Sequence, residues 1–120
     1  MPHAKTALVV ETNYLVASVI EDPLRAIGFS VIVAVDEDEA RAVIASDGPQ
    51  VAVIDFRLAH GGPEGLVSLL EAASVPYLFC TASSVEEVAE HFPQAAVLQK
   101  PFDDEMLLTA LNHILSNSQT

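Results

Sequence analysis

Apolar residues fall along the chain in two alternating rhythms. Short, nearly continuous runs at 7–10, 31–35, 51–54, 76–80 and 96–98 have the length and apolar content of buried parallel strands. The stretches between them repeat apolar residues at helical spacing. Such β/α alternation favours a parallel sheet with helices on both faces, because each crossover must return the chain to the same edge.

The helical stretches carry their own boundaries. From Tyr14 to Ile27, the residues Leu15, Val16, Val19, Ile20, Leu24 and Ile27 are expected to face inward, with Gly28 as the stop. Pro23 removes the hydrogen bond to the carbonyl of residue 19 and predicts a bend or early fraying. A second helix is expected over 37–45, capped by Asp36, and a third over 64–73. Ser84-Val85-Glu86-Glu87 has the form of a capping box, opening a short fourth helix that Pro93 ends. Asp103 and Asp104 start a fifth over 105–116, with Met106, Leu107, Leu111, Ile114 and Leu115 expected inside. The predicted architecture is α/β: a flavodoxin-like, doubly wound, five-stranded parallel sheet of order 2-1-3-4-5 with five helices, as one domain over 1–120.

Composition narrows the function. Hydrophobic residues make up 51% of the chain, yet no apolar run approaches the roughly 18 residues of a membrane span, and the stretch from Ala7 to Val10 is too short for a signal-peptide core. The expectation is a cytoplasmic protein without membrane contact. Five Lys and Arg against 17 Asp and Glu give a net charge of −12, which repels a phosphate backbone and argues against direct nucleic-acid binding. Cys80, the single cysteine, sits beside Leu78 and Phe79 and reads as a small buried hydrophobe.

In a doubly wound sheet, ligands bind at the carboxyl ends of the strands. The residues just past those ends are Glu11 and Thr12, Asp55, Thr81 and Lys100. In the order 2-1-3-4-5 the first, third and fourth strands are neighbours, so Glu11, Asp55 and Thr81 can line one pocket that Lys100 closes. These residue types suit phosphoryl transfer to a carboxylate: Asp55 as nucleophile, with Lys100 and the Thr81 hydroxyl neutralising charge on the phosphoryl oxygens. A hard divalent cation such as Mg²⁺ on carboxylate and carbonyl oxygens would add to that.

The segments Ala7-Leu8-Val9-Val10-Glu11, Val53-Ile54-Asp55-Phe56-Arg57-Leu58, Leu78-Phe79-Cys80-Thr81-Ala82 and Gln99-Lys100-Pro101-Phe102 resemble the receiver domains of bacterial two-component response regulators, over nearly the whole chain. The resemblance implies that Asp55 is the phosphoacceptor, Thr81 the switch hydroxyl and Lys100-Pro101 the family's Lys-Pro pair, usually joined in cis. It implies weakly bound Mg²⁺ held by Glu11, Thr12, Asp55 and the Arg57 carbonyl. The implied donor is a histidine kinase or histidine phosphotransfer protein, and the output passes to a downstream protein target or a second copy of the chain. No metabolic reaction is implied, only catalysis of the domain's own phosphorylation and dephosphorylation.

Two departures stand out. The family usually has a second acid where this chain has Thr12, and losing a supporting group at a metal site costs roughly 10–100-fold in affinity. Many members carry a switching aromatic where this chain has Val97, and the 19 positions from Thr81 to Lys100 are short for the family, so a reshaped fourth helix is expected. Thr12 and Val97 keep open a phosphorylation-independent pseudo-receiver acting as an interaction module. His60 reads as a solvated loop residue, Gly61-Gly62 as a tight turn, and His3, His91 and His113 lack metal-ligand spacing.

Overall fold

A computed structural model describes residues 5–57, 63–82 and 84–117. The order is β1 (Thr6–Val10), α1 (Tyr14–Ala26), β2 (Ser30–Ala34), α2 (Glu37–Asp47), β3 (Val51–Asp55), α3 (Glu64–Ala72), β4 (Tyr77–Thr81), α4 (Val85–His91), β5 (Ala96–Gln99) and α5 (Asp104–Asn117). All five strands pair in parallel in the order β2-β1-β3-β4-β5. Every strand therefore delivers its last residue to the same edge.

The sheet divides the apolar residues between two cores by simple alternation, since successive strand residues point to opposite faces. Ala7, Val9, Val51, Val53, Leu78 and Cys80 pack with Ala17, Ile20 and Leu24 of α1 and Leu107, Leu111 and Ile114 of α5. Leu8, Val10, Ala52, Ile54 and Phe79 pack with residues of α2, α3 and α4, among them Ile44, Leu70 and Val88. Phe79 is the centre of an aromatic cluster on this second face, with ring centroids 5.5 Å from Phe56, 5.1 Å from Phe92 and 5.6 Å from Tyr77.

Caps act where the sequence puts them. Asp36 Oδ1 accepts from the Glu39 amide at 2.8 Å, Ser84 Oγ from the Glu87 amide at 3.2 Å and Asp103 Oδ1 from the Met106 amide at 2.8 Å. Gly28, at φ +104°, turns the chain out of α1, a conformation that favours glycine.

Two inward faces differ from expectation. In α1 the buried residues are Ala17, Ile20, Pro23 and Leu24, with Val16 partly covered, whereas Leu15 (75% exposed), Val19 and Ile27 face outward. The small Ala17 and the ring of Pro23 share the buried stripe with Ile20 and Leu24, so side-chain hydrophobicity alone does not define it. Nor does Pro23 fray the helix, which runs on to Ala26. In α5 the stripe Leu107, Leu111 and Ile114 follows i, i+4, i+7 spacing and leaves Met106 exposed. Along α5 and β5 lies a groove of about 1170 Å³ lined by Leu78, Val97, Met106 and Ile114 among others.

Burial pushes the Cys80 thiol up to about 12, with Lys100 acting against the shift. Because the thiolate is the reactive form, the native chain at pH 8 should react with a thiol reagent roughly 100-fold or more slowly than the denatured chain. Thiol titration with and without denaturant checks this, and rapid labelling of the native chain would count against a sealed core at β4.

Candidate functional site

The parallel register sets the site. Asp55 is the last residue of β3 and pairs with Cys80, one residue before Thr81 ends β4, while Val10 pairs with Ile54 just ahead of Glu11. Thr81 pairs with Gln99, so Lys100 emerges beside it, and the Lys100 amide donates to the Thr81 carbonyl at 2.7 Å. The Lys100–Pro101 peptide bond is cis.

Glu11 is 2% exposed, and its carboxylate is fully engaged. Oε1 accepts from Lys100 Nζ at 3.1 Å, and Oε2 accepts from the Asn13 amide at 3.1 Å. Asn13 lies outside the set of strand-end residues, although an Asn just before an apolar helical stretch is a standard capping signal. Its Oδ1 also accepts from the amides of Leu15 and Val16 at 2.9 and 3.3 Å, so one residue both starts α1 and orients Glu11.

Asp55 is half-buried, and its Oδ1 accepts from the Arg57 amide at 3.1 Å. Burial raises its pKa first, and the neighbouring Glu11 carboxylate raises it further. The Arg57 amide and the Lys100 ammonium oppose both. Thr81 is fully buried at the adjoining strand end. The structure thus brings Glu11, Asp55, Thr81 and Lys100 together as the strand ends require. Thr12, by contrast, is exposed.

The Arg57 side chain, whose reach no spacing rule encodes, extends to α4, where Nη2 donates to Glu87 Oε2 at 3.2 Å. His3, His60 and the Gly61-Gly62 turn lie outside the described residues. Among the described residues no group of three or more His, Cys, Asp or Glu forms a metal cluster. Two carboxylates, Glu11 and Asp55, and the Arg57 carbonyl are nonetheless hard oxygen donors of the kind that suit Mg²⁺, which commonly takes one or two carboxylates and keeps several waters. The site joins a basic, half-buried carboxylate to an adjacent ammonium, a pairing suited to accepting an anionic electrophile. No helix among the described residues is long and apolar enough to cross a membrane.

No sequence family and no curated protein matches this chain. Solved structures do. The receiver domain of sensor histidine kinase PA1611 from Pseudomonas aeruginosa PAO1, with a magnesium ion coordinated in its active site cleft, matches at TM-score 0.81 and 25% identity, covering 95% of this chain and 99% of that one. A response regulator receiver protein from Sinorhizobium medicae WSM419 matches at TM-score 0.85 and 20% identity, covering 96% and 97%. The response regulator PhyR from Brucella abortus matches at TM-score 0.84 and 25% identity, covering 98% of this chain but 50% of that one. From strand order to helix placement, this chain has the fold of the response regulator receiver domains.

Proposed function

We propose that residues 1–120 act as a single phosphoacceptor signalling unit in which Asp55 takes a phosphoryl group from a histidine kinase or histidine phosphotransfer protein. The carrying observation is the half-buried Asp55 carboxylate at the end of β3, between Glu11 and Thr81 and within the influence of Lys100. An Asp55 oxygen attacks phosphorus in line, the bond from phosphorus to the histidine nitrogen breaks with its electron pair leaving on nitrogen, and an acyl phosphate remains. The raised basicity of Asp55 makes it a better nucleophile. Lys100 exchanges its contact with Glu11 for a phosphoryl oxygen, and the Thr81 hydroxyl donates to another. Mg²⁺ held by Glu11, Asp55 and the Arg57 carbonyl, with Thr12 beside them, would neutralise part of the phosphoryl charge. Hydrolysis of the acyl phosphate resets the unit, so the chemistry serves a cytoplasmic signal passed to a protein target and not metabolism.

One observation favours a second reading, a pseudo-receiver working through protein contact alone. Thr12 offers a neutral hydroxyl on an exposed bend, and Lys100 already neutralises Glu11. Intact-mass measurement after incubation with acetyl phosphate and Mg²⁺ separates the two. The wild type is expected to gain one phosphoryl group and Asp55→Ala none. An unchanged wild-type mass, also with a competent kinase, supports the pseudo-receiver.

Thr12→Asp should tighten Mg²⁺ binding roughly tenfold, because a charged oxygen replaces a neutral one. The same change should lower the melting temperature without metal, since three carboxylates then crowd one site. Titrating Mg²⁺ while following melting of both proteins reads the two effects, and equal midpoints would remove Thr12 as the weak point.

Asp55→Asn should stabilise the metal-free protein at neutral pH. A carboxyl whose pKa is raised on folding binds more protons folded than unfolded, so its ionisation weakens the fold as pH rises from the unfolded value through the folded one. The gain in Tm is expected at pH 7–8 and should vanish as the pH falls below the ordinary carboxylate range. Melting curves across pH check it, and a pH-independent gain would place its origin elsewhere.

A further inference from the structure

The two residues after Asp55 both reach α4, which is seven residues long. The Phe56 ring lies 6.2 Å from that of His91, tilted, and 6.3 Å from that of Phe92, edge to face, at the end of that helix. Arg57 spans the gap in a different way: its backbone amide donates to Asp55 Oδ1 at 3.1 Å while its guanidinium donates to Glu87 at 3.2 Å. One residue therefore touches both the carboxylate and the helix. The contact to Glu87 is solvent-exposed, with the Arg57 and Glu87 side chains 66% and 42% accessible, and an ion pair so placed is weakly held.

A phosphoryl group on Asp55 changes that balance. It replaces the single negative charge of the carboxylate by about −2 on the phosphoryl group, with three strong acceptor oxygens, at a point two residues from Arg57. The planar guanidinium fork matches phosphate oxygens in bidentate fashion, whereas at Glu87 the contact runs through Nη2 to a single oxygen. Val97 supplies no aromatic side chain on β5 to change rotamer, so a direct tie between the Asp55 loop and α4 offers the chain another route for the signal.

We propose that Arg57 senses the phosphoryl group on Asp55: its guanidinium leaves Glu87 for the phosphoryl oxygens and thereby loosens α4. This rests on the phosphoacceptor reading and adds the residue that transmits it. Arg57 is a positioning residue whose backbone groups stay in place when its side chain is changed.

The test follows amide hydrogen exchange over residues 85–91 before and after treatment with acetyl phosphate and Mg²⁺, with intact mass reporting phosphate on each variant. In the wild type, phosphorylation should speed exchange roughly two- to fivefold, which is about 0.4–1 kcal/mol at 1.36 kcal/mol per tenfold and the scale of an exposed ion pair. Arg57→Ala and Glu87→Gln should exchange at the faster rate before treatment and gain nothing further, while Arg57→Lys should keep part of the response. The Arg57 Nε–H resonance should shift on phosphorylation in the wild type and equally in Glu87→Gln, a movement that a purely structural ion pair would not produce. A phosphorylated Arg57→Ala chain whose α4 still responds in full, or an Arg57 resonance that stays still in the phosphorylated wild type, overturns the inference alone. A wild type that never gains mass overturns both it and the phosphoacceptor reading.

Discussion

A carboxylate sealed inside a protein must find a partner or give up its charge, and Glu11 at the end of β1 finds Lys100 at the end of β5. That pair spans the sheet, since β3 and β4 lie between the two strands. It brings the Lys100 ammonium over the end of β3, where it partly offsets the burial and repulsion that raise the Asp55 pKa. Asn13 holds the other Glu11 oxygen through its amide while capping α1, so the start of a helix and the orientation of a buried charge are set together. Removing one member of such a pair leaves the other charge uncompensated, which is far more disruptive than replacing both.

This pair also carries a tension. An anion approaching Lys100 competes with Glu11 for the ammonium, and Glu11 lies close to Asp55 with like charge. A phosphoryl group or a cation entering the site therefore does not fill an inert cavity. It rearranges charges that are already balanced, in a chain where 17 Asp and Glu outnumber 5 Lys and Arg.

The three inner strands were legible because each is buried on both faces and so reads as an unbroken apolar run, and the edge strands β2 and β5, only partly covered, keep enough apolar residues to read the same way; their order is the common doubly wound solution for five such units. Glu11, Asp55, Thr81 and Lys100 were legible for a related reason, since parallel pairing delivers strand ends to one edge and leaves few places for chemistry. The inward face of α1 was not. Leu15 and Val19 outweigh Ala17 and Pro23 in hydrophobicity, but only a helix docked on its sheet reveals that the smaller residues are the buried ones. The ion pair from Arg57 to Glu87 was hidden differently, because it joins residues 30 apart through flexible side chains and no spacing rule encodes it. Asn13, in contrast, carried a readable capping signal whose second task, holding Glu11, depended on the bend between them.

Phe79 and Cys80 are adjacent in β4 yet belong to different cores, the first packed among Phe56, Tyr77 and Phe92, the second among residues of α1 and α5. The sheet in this sense is a bulkhead. Repacking on the aromatic side can shift α4 without prising apart the layer behind it, so mobility on one face and rigidity on the other need not be traded against each other.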